Sequence, residues 1–273
     1  MAIPPEIVDR VIDYVHDDTK TLIACSLTAR DWVPSTRLHL FEKISLLSAQ
    51  EVARCTELDD FAPYILHYCQ ELSIGSNNQF GNPSVPGFPP FLETPLSTIS
   101  ERIDRFTSLH TLHFRGFHSM KGPLLTPLIG ISEKITAVTF TDSSLTSSYD
   151  LWRLLRLFPN LQNVHVSGLE YSSDMQEYGL AIAPGHCHSP HIISFSFHTH
   201  CQGFVLQRLV EPPYPLTRLT SLGIHHTDQQ QHHLDCIAVK YQDAITTLRF
   251  SAHSTLGSGT RSCIISDPVD HWS

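Results

Sequence analysis

The sequence predicts an α/β fold in which parallel strands form one curved layer and helices cover it. The main observation is a six-residue pattern, apolar-x-x-apolar-x-apolar, whose alternating apolar positions are typical of a β-strand. Weaker copies of the pattern begin at residues 41 and 69. The clear copies, 26 to 31 residues apart, begin at Leu109, Ile135, Leu161, Ile192, Leu219 and Ile245. This nearly constant spacing predicts that each strand belongs to one structural repeat.

The stretches between the strands carry apolar residues at helical spacing. Leu151, Leu154, Leu155 and Phe158 fall at positions i, i+3, i+4 and i+7, which lie on one face of a helix. One strand and one helix in about 20–29 residues is the plan of leucine-rich repeats. Residues 42–253 therefore resemble such repeats, and the resemblance implies a solenoid with parallel strands along its concave face. Looser helical sets occupy residues 204–210 and 234–241.

One position departs from the usual pattern of these repeats. Three residues after the last apolar residue of a strand, leucine-rich repeats usually carry an Asn that bonds neighbouring backbone. Alternating strands and helices are also compatible with a doubly wound α/β sheet, although that fold does not require constant spacing. The residues found in place of Asn are Phe117, Ser143, Leu169, His200, Thr227 and His253.

About seven or eight parallel strands are predicted, starting near residues 44, 72, 112, 138, 164, 195, 222 and 248. A long loop rich in Gly, Asn and Pro interrupts the period at 75–95, and the Ser/Gly-rich tail at 254–273 is predicted to be disordered. The alternate apolar residues of the strands should form the core. Those expected to be buried are Leu112, Phe114, Val138, Phe140, Val164, Val166, Phe195, Phe197, Leu222, Ile224, Leu248 and Phe250.

Residues 1–41 are predicted to form a separate block of three short helices. The Pro4-Pro5 pair suits the first turn of a helix, because the N–H groups there have no partner within the helix. Asp18 or Thr19 is expected to cap the second helix, and a third follows. Helices this short cannot enclose a core of their own, so their apolar surplus should dock onto something else.

Two segments of this block, IPPEI at residues 3–7 and LIACSLTARDW at residues 22–32, resemble the F-box. The family pattern reads Leu-Pro-x-Glu-Ile/Leu and later Cys-Ser-x-Val-x-Arg-x-Trp, and the block is similar to F-box proteins of mushroom-forming basidiomycete fungi. The resemblance implies a three-helix module that binds the Skp-family adaptor of cullin–RING ubiquitin ligases. A generic helical cap on a repeat array is the alternative. The adaptor-binding residues implied by the resemblance are Pro4, Ile7, Val11, Leu22 and Trp32.

Charge and cysteine content limit the classes of partner and compartment. Asp and Glu outnumber Lys and Arg by 27 to 18, which disfavours nucleic acid. No apolar run approaches the roughly 18 residues that a membrane span needs, and the start of the chain lacks the pattern of a secretory signal. Seven cysteines without a CxxC pair argue against a disulfide framework and a zinc ribbon. We therefore predict a cytoplasmic or nuclear protein.

No enzyme signature is present in the sequence. The chain lacks GxSxG, HExxH and a Gly-rich phosphate loop, so we predict a non-catalytic protein without a cofactor. His and Cys crowd residues 186–201, and His pairs follow at 225–226 and 232–233. These clusters suggest a zinc site, and with it a small metal-dependent enzyme, as alternatives. Their spacing fits no established zinc pattern, and scattered surface histidines are the simpler interpretation, so no metal ligand is predicted.

The side of the predicted sheet that faces away from the core is a candidate target-binding surface. Two rows of residues lie there, and they contain no Asp or Glu although the chain carries a net charge of −9. Histidine makes the surface more basic below about pH 6.5. The alternative is an unused polar face. We predict that an acidic or phosphorylated segment of a protein target binds His113, Arg115, His165, His198, His225 and Arg249.

The two resemblances together imply a non-catalytic subunit of a Skp–cullin–F-box ubiquitin ligase. In this hypothesis the first domain docks to the Skp-family adaptor, and through it to the cullin–RING ligase, while the repeats hold a protein target. The alternative is a stand-alone leucine-rich-repeat binding module with a non-functional F-box. Co-purification with the adaptor separates the two hypotheses.

Overall fold

A computed structural model of the chain describes residues 3–75, 102–116, 126–145, 148–171, 191–198, 218–226, 244–253 and 260–265. Three short helices, α1 (Pro5–Tyr14), α2 (Thr19–Thr28) and α3 (Val33–Phe41), begin the chain, with a turn of 3-10 helix at Arg30–Trp32 before α3. These helices, residues 3–41, are called the helical module below. The prediction of three helices in this block is confirmed.

The start of α2 shows how the sequence positions these helices. Asp18 caps the helix, since its Oδ1 accepts the backbone N–H groups of Lys20 at 3.0 Å and Thr21 at 3.2 Å. The hydroxyl of Thr21 donates to Oδ2 at 2.6 Å. This hydroxyl bond, together with the backbone bonds, lowers the pKa of the Asp18 carboxyl below its usual value. Of the two residues predicted as caps, the structure selects Asp18.

The rest of the described chain is built on a large sheet. Helices α4 (Ala49–Phe61), α5 (Thr126–Ile129) and α6 (Ser148–Leu155) accompany it, with 3-10 turns at Pro63–Tyr68 and Ile103–Arg105. Two short strands, Ser144–Leu145 and Glu170–Tyr171, form a small parallel sheet of their own, and all the other strands belong to the large sheet. Numbered along the chain, the strands are β1 (Lys43–Leu46), β2 (Glu71–Gly75), β3 (Thr111–Arg115), β4 (Ala137–Thr141), β5 (Ser144–Leu145), β6 (Asn163–Ser167), β7 (Glu170–Tyr171), β8 (Ser194–His198), β9 (Ser221–His226), β10 (Thr247–His253) and β11 (Thr260–Ile265).

The order of strands in the large sheet follows the order of the chain. From β1 to β10 the strands pair in parallel and in register, so that Leu72 lies opposite Leu112, and Leu112 opposite Val138. The prediction of about seven or eight parallel strands is confirmed, since eight strands pair in this way. A doubly wound sheet reverses its strand order at a switch point, whereas the described strands show no reversal. The doubly wound alternative is therefore wrong.

Strand β11 corrects the prediction for the end of the chain. The sequence predicts a disordered tail and parallel strands alone, but residues 260–265 pair antiparallel with β10, with Leu248 opposite Ile265. Six residues, 254–259, separate the two strands. That length suffices for an antiparallel pair, whereas a parallel crossover needs about a dozen residues or more. The Ser/Gly-rich composition belongs to this connection and does not extend into the strand.

The alternate apolar residues of the strands form the core, as predicted. Phe114 and Phe140, opposite each other in β3 and β4, stack with ring centroids 5.2 Å apart. Helix α6 confirms the predicted helical face. Its Trp152 packs on Phe195 of β8, with the ring centroids 6.0 Å apart. The side chains of Leu248 and Phe250 lie outside the described part. The predicted residues found buried are Leu112, Phe114, Val138, Phe140, Val164, Val166, Phe195, Phe197, Leu222 and Ile224.

One backbone arrangement repeats at every parallel step of the sheet. The carbonyl oxygen of Thr136, just before β4, accepts the N–H groups of Gln162 at 2.9 Å and Asn163 at 3.0 Å at the start of β6. Because the side chains at these joints differ, the arrangement is set by the backbone and by the constant spacing. The same pair of bonds is accepted by the carbonyls of Glu42, Gln70, His110, Gln162, Ile193 and Thr220.

A left-handed residue follows three strands of the sheet. Gly116 after β3, Asp142 after β4 and Gly168 after β6 have φ angles of 57°, 48° and 67°. At Gly168 a Cβ atom would lie 2.5 Å from Oδ1 of Asp142. Position 168 therefore requires glycine both for its conformation and for its close approach to the preceding turn.

An ion-pair cluster joins α4 to the 3-10 turn that precedes β3. The fully buried carboxylate of Asp59 lies 2.8 Å from Nε of Arg102 and 2.5 Å from Nη1 of Arg105. Asp60, beside it on α4, lies 3.0 Å from Nη2 of Arg102. These contacts fix the 3-10 turn Ile103–Arg105 against the helix.

Asp59→Ala is expected to lower the free energy of unfolding by about 2 kcal/mol in urea denaturation. Both arginines keep some contact with water, with 25% and 46% of their side chains exposed, so the loss is smaller than for a fully buried pair. Asp60→Ala removes a largely exposed carboxylate from the same helix and should change stability by less than about 0.5 kcal/mol. Equal effects of the two substitutions would contradict this account of the cluster.

Two cysteines, the buried Cys69 and the half-buried Cys55, lie between β1, α4 and β2. Burial raises the pKa of the Cys69 thiol to about 12 and that of the Cys55 thiol to about 11. The Sγ of Cys69 also donates to the carbonyl oxygen of Glu71 at 3.3 Å. Both thiols therefore remain protonated at neutral pH, and they belong to the packing of the core.

The raised pKa of Cys69 predicts a loss of stability in alkali. In the unfolded chain the thiol ionises from about pH 9, whereas in the folded chain it stays protonated, so folding stability falls as the pH rises above about 9. Urea denaturation between about pH 9 and pH 11 should show a steeper decline for the wild type than for Cys69→Ala. Parallel declines of the two proteins would argue against the raised pKa.

Two groups of predicted elements fall outside the described residues. The loop predicted at 75–95 does so except for Gly75, which ends β2. The helices predicted at 204–210 and 234–241 do so entirely.

Candidate interaction surfaces

Helix α1 presents an apolar edge to solvent. Ile7 is 49% exposed and Val11 43% exposed, and Tyr14, three residues further along, is exposed as well. Residues three and four apart lie on one side of a helix. Ile3 and Pro4, just ahead of the helix, are also exposed. These five residues are called the α1 edge below, and they include the predicted adaptor contacts Pro4, Ile7 and Val11.

Exposed apolar side chains are concentrated in the helical module. Helix α2 adds Ile23 and Leu27, the latter 82% exposed, and α3 adds Leu38. Seven of the ten large apolar side chains that are exposed in the described part of the chain belong to residues 3–38. Contiguous apolar surface of this kind typically marks a site of protein–protein interaction.

Two of the predicted adaptor contacts, Leu22 and Trp32, lie on the inner side of the module. Val8, Ile12 and Leu22 form a small buried cluster separate from the core of the sheet, and Trp32 packs against it. Leu22 is only 1% exposed, so it supports the module from inside and does not reach a partner. Trp32 is half-buried and shares this supporting role. Of the predicted adaptor contacts, Leu22 thus faces inward in this structure, because a helical repeat of apolar residues does not reveal which of them are buried.

Polar contacts fix the module to itself and to the sheet. Ser35 on α3 donates a hydrogen bond to Asp9 on α1, and Nε2 of His39 lies 2.8 Å from Oδ1 of Asp13. At the other side of α3, Nη1 of Arg37 donates to the hydroxyl of Tyr64 at 3.0 Å and the guanidinium lies over its ring. Helix α3 therefore connects α1 to the sheet and leaves the α1 edge uncovered.

The side of the sheet opposite the core is a second candidate surface. Along β3 and β4 the alternate residues are half-exposed, as the strand geometry predicts. We call this side the polar face. Its first row contains Ser73, His113, Thr139, His165, Ser196, Gly223 and Arg249. Its second row contains Gly75, Arg115, Thr141, Ser167, His198, His225 and Ser251.

The six predicted target-binding residues lie on these two rows, in strands β3, β6, β8, β9 and β10. The structure describes the side chains of His113, Arg115 and His165. For the other three, His198, His225 and Arg249, it describes the backbone, and their side chains lie outside the described part.

An acidic residue that the two-row analysis missed adjoins the first row. Glu71, at the start of β2, places Oε2 3.5 Å from Nε2 of His113 and Oε1 3.5 Å from Nζ of Lys43. The strand of Glu71 is a weak copy of the pattern, and Glu71 itself lies opposite Thr111, two residues ahead of the first row. His113 therefore has a partner within the chain.

Of the other two described side chains, His165 has a hydrogen-bond partner and Arg115 has none among the described residues. Nδ1 of His165 lies 2.6 Å from the hydroxyl of Ser196 in the next strand. Arg115 makes no hydrogen bond or ion pair with the residues that the structure describes, and its Nε is shielded from water. The polar face therefore offers Arg115 as its one described cation that lacks a partner within that part of the chain.

The remaining expectations concern metals and membranes. Most of the His/Cys cluster at 186–201 lies outside the described residues. Within the part described, no three His, Cys, Asp or Glu residues converge in a way that could hold a metal ion. A search of the same residues finds no helix with both the length and the apolar character of a membrane span.

Comparison with known proteins adds no family to this description. No protein-family model matches the chain, and no curated protein matches it significantly. The functional proposal therefore rests on the two surfaces and on the resemblances in the sequence.

Proposed function

We propose that the chain is the substrate-recognition subunit of a Skp–cullin–F-box ubiquitin ligase in the cytoplasm or nucleus. The observation that carries the proposal is the α1 edge. The residues that match the start of the F-box pattern are both exposed, Pro4 just ahead of α1 and Ile7 on it, while the opposite side of this helix is buried. Apolar side chains held at the surface by a packed support are the arrangement expected of a docking site.

We propose that residues 42–253 are a solenoid of irregular leucine-rich repeats. Sequential parallel strands, the repeated carbonyl joint and the left-handed residue after three strands support this proposal. Ser143 adds a more specific observation, because it occupies the position usually held by Asn. Its buried hydroxyl donates to the carbonyl oxygens of Thr141 at 3.1 Å and Phe114 at 3.4 Å. The side chain thus makes the kind of backbone contact that Asn makes in such repeats.

In this function the chain acts by proximity. The helical module holds the adaptor, and the polar face holds the target, so that a lysine of the target stays near the ubiquitin-conjugating enzyme carried by the ligase. The gain comes from the raised effective concentration of the two reactants. The chain contributes no reacting group to this step.

The target-binding half of the proposal predicts the effect of charge reversal. Arg115→Glu with Arg249→Glu should remove a set of proteins from those labelled by a proximity-labelling enzyme fused to the chain. Arg54→Glu with Lys134→Glu reverses two exposed charges outside the polar face and should leave the set unchanged. Because the introduced glutamates carry the same sign of charge as the acidic target segment, and such like-charge contacts cost several kcal/mol, the loss should be nearly complete. If both double variants label the same set of proteins, the polar face is not the target-binding surface.

A stand-alone leucine-rich-repeat binding module is the second candidate function. It shares the polar face but gives the α1 edge no partner. Failure of the adaptor to co-purify, with target labelling intact, would favour it.

A further inference from the structure

Arg115 is unusual among the described Lys and Arg side chains because one of its nitrogens, Nε, is buried without a hydrogen-bond partner. Elsewhere Lys43 pairs with Glu71, Arg37 lies on Tyr64, and Arg102 reaches Asp59. Arg115 has none of these contacts, although its Nε is removed from water. Guanidinium carries five N–H donors, and a donor that is shielded from water without an acceptor is unfavourable. An acceptor from outside the described chain would remove that cost.

The neighbours of Arg115 suit an anionic acceptor. Thr141 lies opposite it in β4, and Ser167 lies opposite Thr141 in β6. Both residues are half-exposed, and strands in a parallel sheet lie about 4.8 Å apart. A guanidinium and two hydroxyl groups thus follow one another across three strands. The second row contains no carboxylate that would compete for them.

On the β2 side, the residue opposite Arg115 carries no side chain. Gly75, its partner in β2, has a φ of 150°, and a Cβ atom there would lie 1.7 Å from the carbonyl oxygen of Arg115. No side chain can occupy that position without moving a strand. The nearest carboxylate at the start of β2, Glu71, is held by Lys43 and His113.

We infer that Arg115, with the hydroxyl groups of Thr141 and Ser167, binds one anionic side chain of an extended target segment. The anion is a phosphorylated Ser or Thr, or a carboxylate, since both accept two hydrogen bonds from a guanidinium. The inference rests on the proposed function of the polar face and narrows it. His113 and His165 are engaged within the chain, so the centre of recognition is the second row.

Three degenerate peptide libraries test this inference on the immobilised full chain. They share one composition and carry phosphoserine, Glu or Ser at a fixed central position. The phosphoserine or the Glu library should be retained above the Ser library. Arg115→Gln should lower that retention by about tenfold or more, and Thr141→Val should lower it to a smaller extent. Arg54→Gln, which removes an exposed charge outside the polar face, should stay within about twofold of the wild type.

The outcomes separate this inference from the proposed function. Preference for phosphoserine over Glu identifies phosphate as the anion, and equal retention of the two identifies a general anion site; both support the inference. Equal retention of all three libraries overturns it, and so does a retention that Arg115→Gln does not change. Adaptor binding is measured on the same proteins, and Arg115→Gln should leave it intact. If the wild type retains all three libraries equally but still binds the adaptor, only the Arg115 site is rejected and the proposed docking to the ligase stands.

Discussion

Pro4→Ala combined with Ile7→Ala is expected to abolish co-purification of the chain with a Skp-family adaptor. Both side chains are exposed, and neither belongs to the buried cluster of Val8, Ile12 and Leu22. Their truncation should therefore remove contact surface without unfolding the module. Central apolar contacts of an interface typically contribute about 2 kcal/mol or more each, so the loss of two should lower affinity by about 4 kcal/mol, roughly a thousandfold.

Two control variants make this result specific to the α1 edge. Phe61→Ala removes a side chain that is 89% exposed but lies at the end of α4, and it should leave adaptor binding intact. Leu22→Ala should weaken binding indirectly, with a loss of helix content that the double variant does not show. Unchanged adaptor binding by Pro4→Ala with Ile7→Ala would refute the proposed docking site.

Phe140→Ala is expected to lower the free energy of unfolding by about 3–5 kcal/mol in urea denaturation. The ring is fully buried, stacks on Phe114 and lies opposite Val166 of the next strand. Removing it leaves a cavity between neighbouring strand units, and in an array each unit depends on its neighbours. The effect should therefore extend beyond β4.

Thr139→Ala is the matched control in the same strand. Its side chain lies on the polar face, one residue before Phe140, and its loss should cost less than about 0.5 kcal/mol. A cost below about 1 kcal/mol for Phe140→Ala would mean that the sheet is not packed as described.

The strands could be predicted from the sequence because two signals agree. Alternation of apolar residues identifies a strand, and the constant spacing of Leu112, Val138 and Val164 identifies its neighbours. Helix α4 has no strong apolar face and was not predicted. Its start could have been found from the Ser48-x-x-Glu51 spacing, since Ser48 accepts the N–H of Glu51 and Glu51 accepts the N–H of Leu47.

The candidate surfaces were harder to predict, because they depend on which residues meet in space. Ile7 and Leu22 are both apolar residues of short helices, yet one is exposed and the other is buried by tertiary packing. The pairing of Glu71 with His113 joins residues 42 positions apart through the strand register. Likewise, the lack of a partner for Arg115 is a property of its surroundings, which the sequence alone does not contain.

Hydrogen exchange on the chain co-expressed with a Skp-family adaptor tests the central claim most directly. The proposed function predicts a stable one-to-one complex in which residues 5–14 and 19–28 gain protection from exchange, while strands β3–β6 keep the protection of the free chain. Protection confined to the sheet, or a chain that elutes without the adaptor, would contradict the claim that the helical module docks this protein to a ubiquitin ligase.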